Sequence, residues 1–349
     1  MNAPPEHKEE GPDQVQLDGA SGISELPQRV SRYSDAKNRA LEISQFIGTQ
    51  DGGKALSSKV GHCGEYLLFR HYFTADLVRL HAAHFCRKHL LCPLCAIRRG
   101  AKSMQAYLPR YEAITAANGR LRPFLVTLTV KDGEDLAGRF AHLQKSQMEL
   151  WKRKHRERGS VLDGVQAAVW SYEVKRGRSS GLWHPHLHMV AMAETMPDAF
   201  ALSREWHEIT GDSKIVDVRP ICVENPASGF LEVFKYALKF SDMEPADTYA
   251  AHQVLKGRRL IGSAGLFRGI EVSENLLDEP LDDLPFIELF YRFIGGGYSL
   301  KRGPGQGPKS AERPTDKTAQ RPRPTPYADS LPREKVFSVK NFDAYPNRV

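Results

Sequence analysis

Trp183-His184-Pro185-His186-Leu187-His188-Met189-Val190 is the stretch whose reading decides the fold. Histidines alternate with apolar residues, which is the period of a β-strand. His184, His186 and His188 therefore share one face, and Pro185, Leu187 and Met189 turn toward a core. Neighbouring imidazoles on such a face stand roughly 6–7 Å apart, close enough for two to close on one metal ion. The plain alternative is a strand with a polar, solvent-facing edge. Three histidines in register on one face argue against it.

Working outward, residues 165–174 form another strand, with Trp170, Tyr172 and Glu173. A Gly/Ser turn over 177–181 joins it to the histidine strand as an antiparallel hairpin. Glu173 then lies on the neighbouring strand, where its carboxylate can join a metal shell or serve as a hydrogen-bonding edge residue. Residues 124–130 (Phe-Leu-Val-Thr-Leu-Thr-Val) read as a strand rich in β-branched residues, ended by Asp132-Gly133. A helix with Leu136, Phe140, Leu143 and Trp151 on its buried side follows. It finishes in Lys152-Arg153-Lys154-His155-Arg156, either a solvated helix end that suits the dipole or a DNA-backbone contact.

Beyond the histidines, residues 200–209 predict a short helix and 213–221 a strand. Ser228 caps a helix running to about residue 240. Phe230, Val233, Phe234, Ala237 and Leu238 make its apolar stripe, and Glu232, Tyr236 and Lys239 stand above one another on the opposite face. Residues 255–270, rich in Gly and Arg and including Arg258 and Arg259, predict a loop near the site that ends the fold. Residues 280–294 predict one more helix.

Upstream, a helix is expected over 36–47 and another over 102–117. Between them, Cys63, Cys86, Cys92 and Cys95 fall within 33 residues. The Cys92/Cys95 pair has zinc-knuckle spacing, and Cys86 and Cys63 can complete four sulfurs, with His81, His84 and His89 as rivals for the fourth place. In a chain expected to stay in the cytoplasm, such clustering favours metal over disulfide. Residues 1–28 are polar and predict a disordered N-terminus, and 29–100 a helical, Cys-rich zinc-binding region. The net charge is +7, but residues 301–349 hold 11 Lys and Arg against 5 Asp and Glu, a net +6, with 8 of the 22 prolines. Residues 295–349 therefore predict a basic, disordered tail that can strengthen non-specific binding to phosphates. No stretch is long and apolar enough to span a membrane, and no apolar signal core opens the chain.

Three of these motifs occur in the same order in the plasmid rolling-circle replication initiators of the HUH (His-hydrophobe-His) endonuclease superfamily. The chain resembles that family at residues 124–129, at His184-Pro-His-Leu-His188 and at Lys235-Tyr-Ala-Leu-Lys239. The Cys-rich stretch followed by Arg98-Arg99, and the segment from Arg258 to Phe267, are similar as well, so the resemblance spans about 60–270. It implies an α+β fold, a central antiparallel sheet with flanking helices, for a nicking and joining domain over 101–294 that follows a small Cys-rich zinc subdomain. It implies that His186 and His188 bind Mg²⁺ or Mn²⁺, and that Tyr236 is the nucleophile. That tyrosine would nick one strand at a plasmid double-strand origin, leaving a 5′-phosphotyrosyl link and a free 3′-OH. Lys239 would lower the phenol's pKa or hold a phosphate oxygen, and Glu232 would activate water at termination. The partners implied are origin DNA, single-stranded at the nick, and a host helicase and DNA polymerase. Competing readings are a transposase of the same superfamily, a histidine-triad nucleotide hydrolase, and a non-catalytic zinc-dependent DNA-binding protein. Metal dependence and a covalent DNA adduct separate the last two from an initiator, and the cysteine region argues for plasmid replication over a transposase.

Overall fold

In the computed structural model, which describes residues 22–156, 159–235, 243–281 and 283–302, the histidine stretch lies in the middle strand of a five-stranded sheet. That strand, β5 (Trp183–Ala193), pairs antiparallel with β3 (Arg122–Thr129) on one side and β4 (Ala167–Arg176) on the other. Strand β6 (Val216–Pro220) lies outside β3, and β7 (Ile261–Gly265) lies outside β4. The expected hairpin is present. Its register sets Glu173 opposite His186 and Ser171 opposite His188, while β3 sets Thr129 and Thr127 opposite the same two histidines.

The two faces of this sheet are covered differently. Phe124, Val126, Leu128, Tyr172, Leu187 and Met189 belong to one core, shared with α4 (Leu136–Arg156) and α5 (Ala199–Thr210) through Phe140, Leu143, Leu202 and Trp206. Leu125, Val169, Val190 and Met192 belong to the other, under Met104, Tyr107 and Tyr111 of α3 (Pro93–Ala117) and Phe230, Val233 and Phe234 of α6 (Ala227–Phe234). The alternation of each strand forces this division, since successive side chains point to opposite faces. Further along, the second face turns polar, with Thr127, Thr129, Ser171, Glu173, His186 and His188.

A second antiparallel sheet, in the order β2-β1-β8-β9, is built from β1 (Tyr66–Tyr72), β2 (Leu77–Ala83), β8 (Ile287–Ile294) and β9 (Gly297–Arg302). Helix α1 (Leu26–Gly48) buries Val30, Tyr33, Ala40, Ile43 and Ile47, a stripe with spacings of three, four or seven residues. The short α2 (Lys54–Gly61) follows it, and α7 (Pro245–Leu255) packs on α1. Arg98 of α3, fully buried, and Arg29 of α1 both donate to Asp278, which also accepts from the Leu80 amide at 2.7 Å. This one carboxylate ties α1, α3, β2 and the segment before β8 together.

Several sequence expectations are corrected. Helix α1 begins at Leu26, with Pro27 in its first turn, so it takes in residues expected to be disordered. Helix α3 starts directly after Cys92, nine residues before the expected position. The 255–270 loop contains β7, which completes the histidine sheet. Residues 280–294 hold the strand β8 in place of a helix, and 297–302 of the expected tail form β9. Ser228 does not cap α6: its hydroxyl donates to the Asn225 carbonyl, and Pro226 holds the cap position. Helix α6 is described to Phe234, so the expected continuation through Tyr236 and Lys239 lies outside the described residues. Among the described residues no helix is long and apolar enough to cross a membrane.

Candidate active site

Glu173, His186 and His188 converge on the polar part of the sheet face, each offering one ligand atom within 4.8 Å of the others. Glu173 Oε1 lies 3.4 Å from His186 Nε2, and Oε2 lies 3.5 Å from His188 Nε2. The side chains of Glu173 and His186 are about 4–5% exposed. Glu173 Oε1 is buried with no aligned hydrogen-bond donor, so contact with His186 leaves it unsatisfied. Burial pushes the Glu173 carboxyl upward, but His186 and His188 more than offset this and hold it well below the usual carboxylate range. Burial lowers the pKa of His186, against the pull of Glu173, which favours a neutral imidazole with a lone pair to give. A buried carboxylate with an orphaned oxygen beside two imidazoles is a donor set that fits a divalent ion.

Two contacts aim the rings. Thr127 Oγ1 lies 3.1 Å from His188 Nδ1, and the His184 carbonyl lies 3.4 Å from His186 Nδ1, so both Nε2 atoms face Glu173. His184 itself is not part of the group. Its Nδ1 sits 2.6 Å from Asp132, whose carboxylate also accepts from Ser180. The sequence signal for Asp132 was its place just after the Thr-Leu-Thr strand, where its turn role concealed a partner 52 residues away.

Cys63, Cys86, Cys92 and Cys95 form a second group, as the spacing suggested, and His81, His84 and His89 are not in it. Sulfur–sulfur separations are 3.5 Å for Cys63–Cys95, 3.5 Å for Cys63–Cys92 and 3.6 Å for Cys86–Cys95. Four thiolates about 2.3 Å from one tetrahedral ion would stand about 3.8 Å apart, so the group fits with little movement. None is in a disulfide, and three are buried. The Cys86 thiol is pulled down by contacts from Cys63, Cys92 and Cys95, while the same crowding pushes Cys92 up. Four such thiols cannot all ionise together without a cation among them. Arg87, at φ 57°, turns the chain between the second and third cysteines.

The basic candidates separate. Lys152, Arg153, Lys154 and Arg156 end α4, on the sheet face opposite the metal group. Lys152 and Arg153 are 3.5 and 3.1 Å from Glu149 and Glu208, and Lys154 donates to the Asp163 carbonyl. Arg258 and Arg259 line a cavity of about 320 Å³ beside the metal group, together with His89, Arg99, Ser103, Ser171 and Lys235. Glu232 is half exposed on α6 with its carboxylate 3.9 Å from Lys235. Tyr236 and Lys239 lie outside the described residues.

A family model described as "Replication protein" matches residues 77–288. Among curated proteins, the chain is 26% identical to a "Protein rep" of Streptococcus pneumoniae over 71% of this chain and 81% of that protein. It is 26% identical to a "Protein rep" of Bacillus amyloliquefaciens over 70% and 80%, and 25% identical to one of Lactiplantibacillus plantarum over 73% and 86%. No solved structure matches.

Proposed function

Because this chain belongs to the replication protein family of plasmid rolling-circle initiators, we propose that it starts replication by nicking one strand of its plasmid origin through Tyr236. The observation that carries this reading is the buried Glu173, with one oxygen unsatisfied, beside the Nε2 atoms of His186 and His188. Held by these three groups, Mg²⁺ or Mn²⁺ would supply Lewis acidity to the scissile phosphate. Thr127 keeps His188 turned toward that position, and the cross-strand pairing of Glu173 with His186 fixes the carboxylate.

The Tyr236 phenolate attacks phosphorus. The new bond is tyrosine oxygen to phosphorus, and the bond broken is phosphorus to the 3′-oxygen. The product is a 5′-phosphotyrosyl link and a free 3′-OH for a host polymerase, with a host helicase opening the duplex ahead. Attack of a 3′-OH on the same link rejoins the strand. Lys239 favours the ionised phenol, and Glu232 takes a proton from water when the link is finally hydrolysed. Support comes from the described residues that precede Tyr236 in the sequence: α6 lies against the sheet beside the metal group, and Phe234 and Lys235 line the cavity that reaches Ser171, the cross-strand partner of His188. The four thiols would hold a structural Zn²⁺. A histidine-triad hydrolase would leave both Glu173 and the thiol group without a role.

The test uses the plasmid's own origin as labelled single-stranded DNA. Cleavage and an SDS-resistant adduct should require Mn²⁺ or Mg²⁺, stop with EDTA and return when Mn²⁺ is restored. A His186→Ala/His188→Ala protein with wild-type circular dichroism should do neither. Undiminished cleavage in EDTA would overturn the reading.

A further inference from the structure

The cavity beside the metal group has a composition that strand scission alone does not require. Three cations approach it from three elements: Arg99 from α3, Lys235 from the end of α6 and Arg259 from the approach to β7. No aspartate or glutamate is among its described lining residues. The nearest carboxylates hold these cations loosely. Glu274 is 3.0 Å from Arg99 but 77% exposed, and Glu232 is 3.9 Å from Lys235. Such exposed pairs are worth little and exchange readily for a better anion. Arg259 donates through Nε to the Ile261 carbonyl at 3.0 Å, which anchors its stem and leaves Nη1 and Nη2 as donors. Arg258 differs, since its guanidinium lies over the Phe140 ring at 5.5 Å. Burial and Arg99 lower the pKa of His89, leaving a neutral ring able to donate or accept.

Val233, Phe234, Leu260 and Ile261 supply an apolar floor, and Ser103 and Ser171 add two hydroxyls to the lining. Convergent cations above an apolar floor suit a phosphate followed by a sugar. Ser171 joins this floor to the metal group through its pairing with His188. The cavity therefore begins one cross-strand pair away from the metal group. We propose that the cavity is a phosphate-binding subsite that takes a phosphodiester near, but not at, the scissile linkage, and so sets which linkage is nicked. The proposal rests on the nicking function above.

The test measures binding of single-stranded origin oligonucleotides to the full-length protein without added divalent ions, each oligonucleotide carrying one uncharged methylphosphonate linkage. For the wild type, one non-scissile position should weaken binding about tenfold, the scale of one charge-assisted contact. Arg99→Ala/Arg259→Ala should weaken the unmodified oligonucleotide by a similar factor and lose its sensitivity at that position only. Arg259→Lys, which keeps the charge, should recover part of the affinity, and circular dichroism should show all variants folded. A double variant that binds like the wild type, or keeps the same sensitive position, would overturn the subsite. So would competition by inorganic phosphate with no sensitive linkage, which would assign the cavity to a free phosphate. None of these readouts needs an adduct, so a failure of Tyr236 chemistry would be seen separately.

Discussion

Glu173 occupies a position that folding alone does not favour. Its carboxylate is buried, one oxygen lacks a donor, and its neighbours are two imidazoles at 3.4 and 3.5 Å. An unsatisfied buried oxygen typically costs about 1–3 kcal/mol, which a bound cation would offset. Glu173→Gln keeps the shape and removes the charge. We expect it to fold and to need at least about tenfold more Mn²⁺ for half-maximal cleavage. An unchanged Mn²⁺ midpoint would show that Glu173 is not a ligand. These residues were legible in the sequence because strand alternation and an antiparallel hairpin with a long loop fix who faces whom. The diversion of His184 to Asp132 was not, because nothing local to either residue encodes a contact across 52 positions.

At the scale of elements, α6 depends on α3. A Cβ at Gly100 would stand 2.6 Å from the Phe234 carbonyl oxygen, so the glycine is what lets the two helices approach. Gly to Ala within a helix normally gains about 1 kcal/mol. Gly100→Ala should instead lose about 1–3 kcal/mol, since the obstacle is backbone. It should also lower adduct yield, because Phe234 leads directly into the tyrosine segment. A stabilised, fully active variant would mean that α6 sits elsewhere. The same dependence on distant partners explains what sequence reading missed. Residues 287–294 are a short apolar run, and the Gly295-Gly296-Gly297 turn after them is a hairpin signal that the helix expectation passed over. They pair with β9 on one side and with β1, more than 200 residues earlier, on the other. Likewise β7 becomes a strand because β4 offers it an edge, and Gly262 fits there against the Trp170 ring.

For the whole molecule, the four-thiol group sits where α3 begins, and α3 carries Arg98, Gly100 and Arg99 to the carboxylate lock, the α6 crossing and the basic cavity. Freshly reduced protein should contain about one zinc per chain, as a tetrahedral four-sulfur site requires. Cys92→Ser/Cys95→Ser should lose it and unfold at lower denaturant, and adduct yield should fall even with Mn²⁺ in excess. Metal analysis that finds no zinc would refute this arrangement. Residues 303–349 lie outside the described structure, but β9 shows that the folded region extends past Gly295, so a tail truncation must begin after Arg302 to spare the second sheet. All these elements bear on one proposed chemical event, the attack of Tyr236 on a phosphodiester, and mass spectrometry of the trapped protein–DNA adduct tests it most directly. After digestion with protease and nuclease, the nucleotide should remain on the peptide containing Tyr236, and Tyr236→Phe should give no adduct while still binding the oligonucleotide. A nucleotide on any other residue, or an adduct formed by Tyr236→Phe, would contradict it.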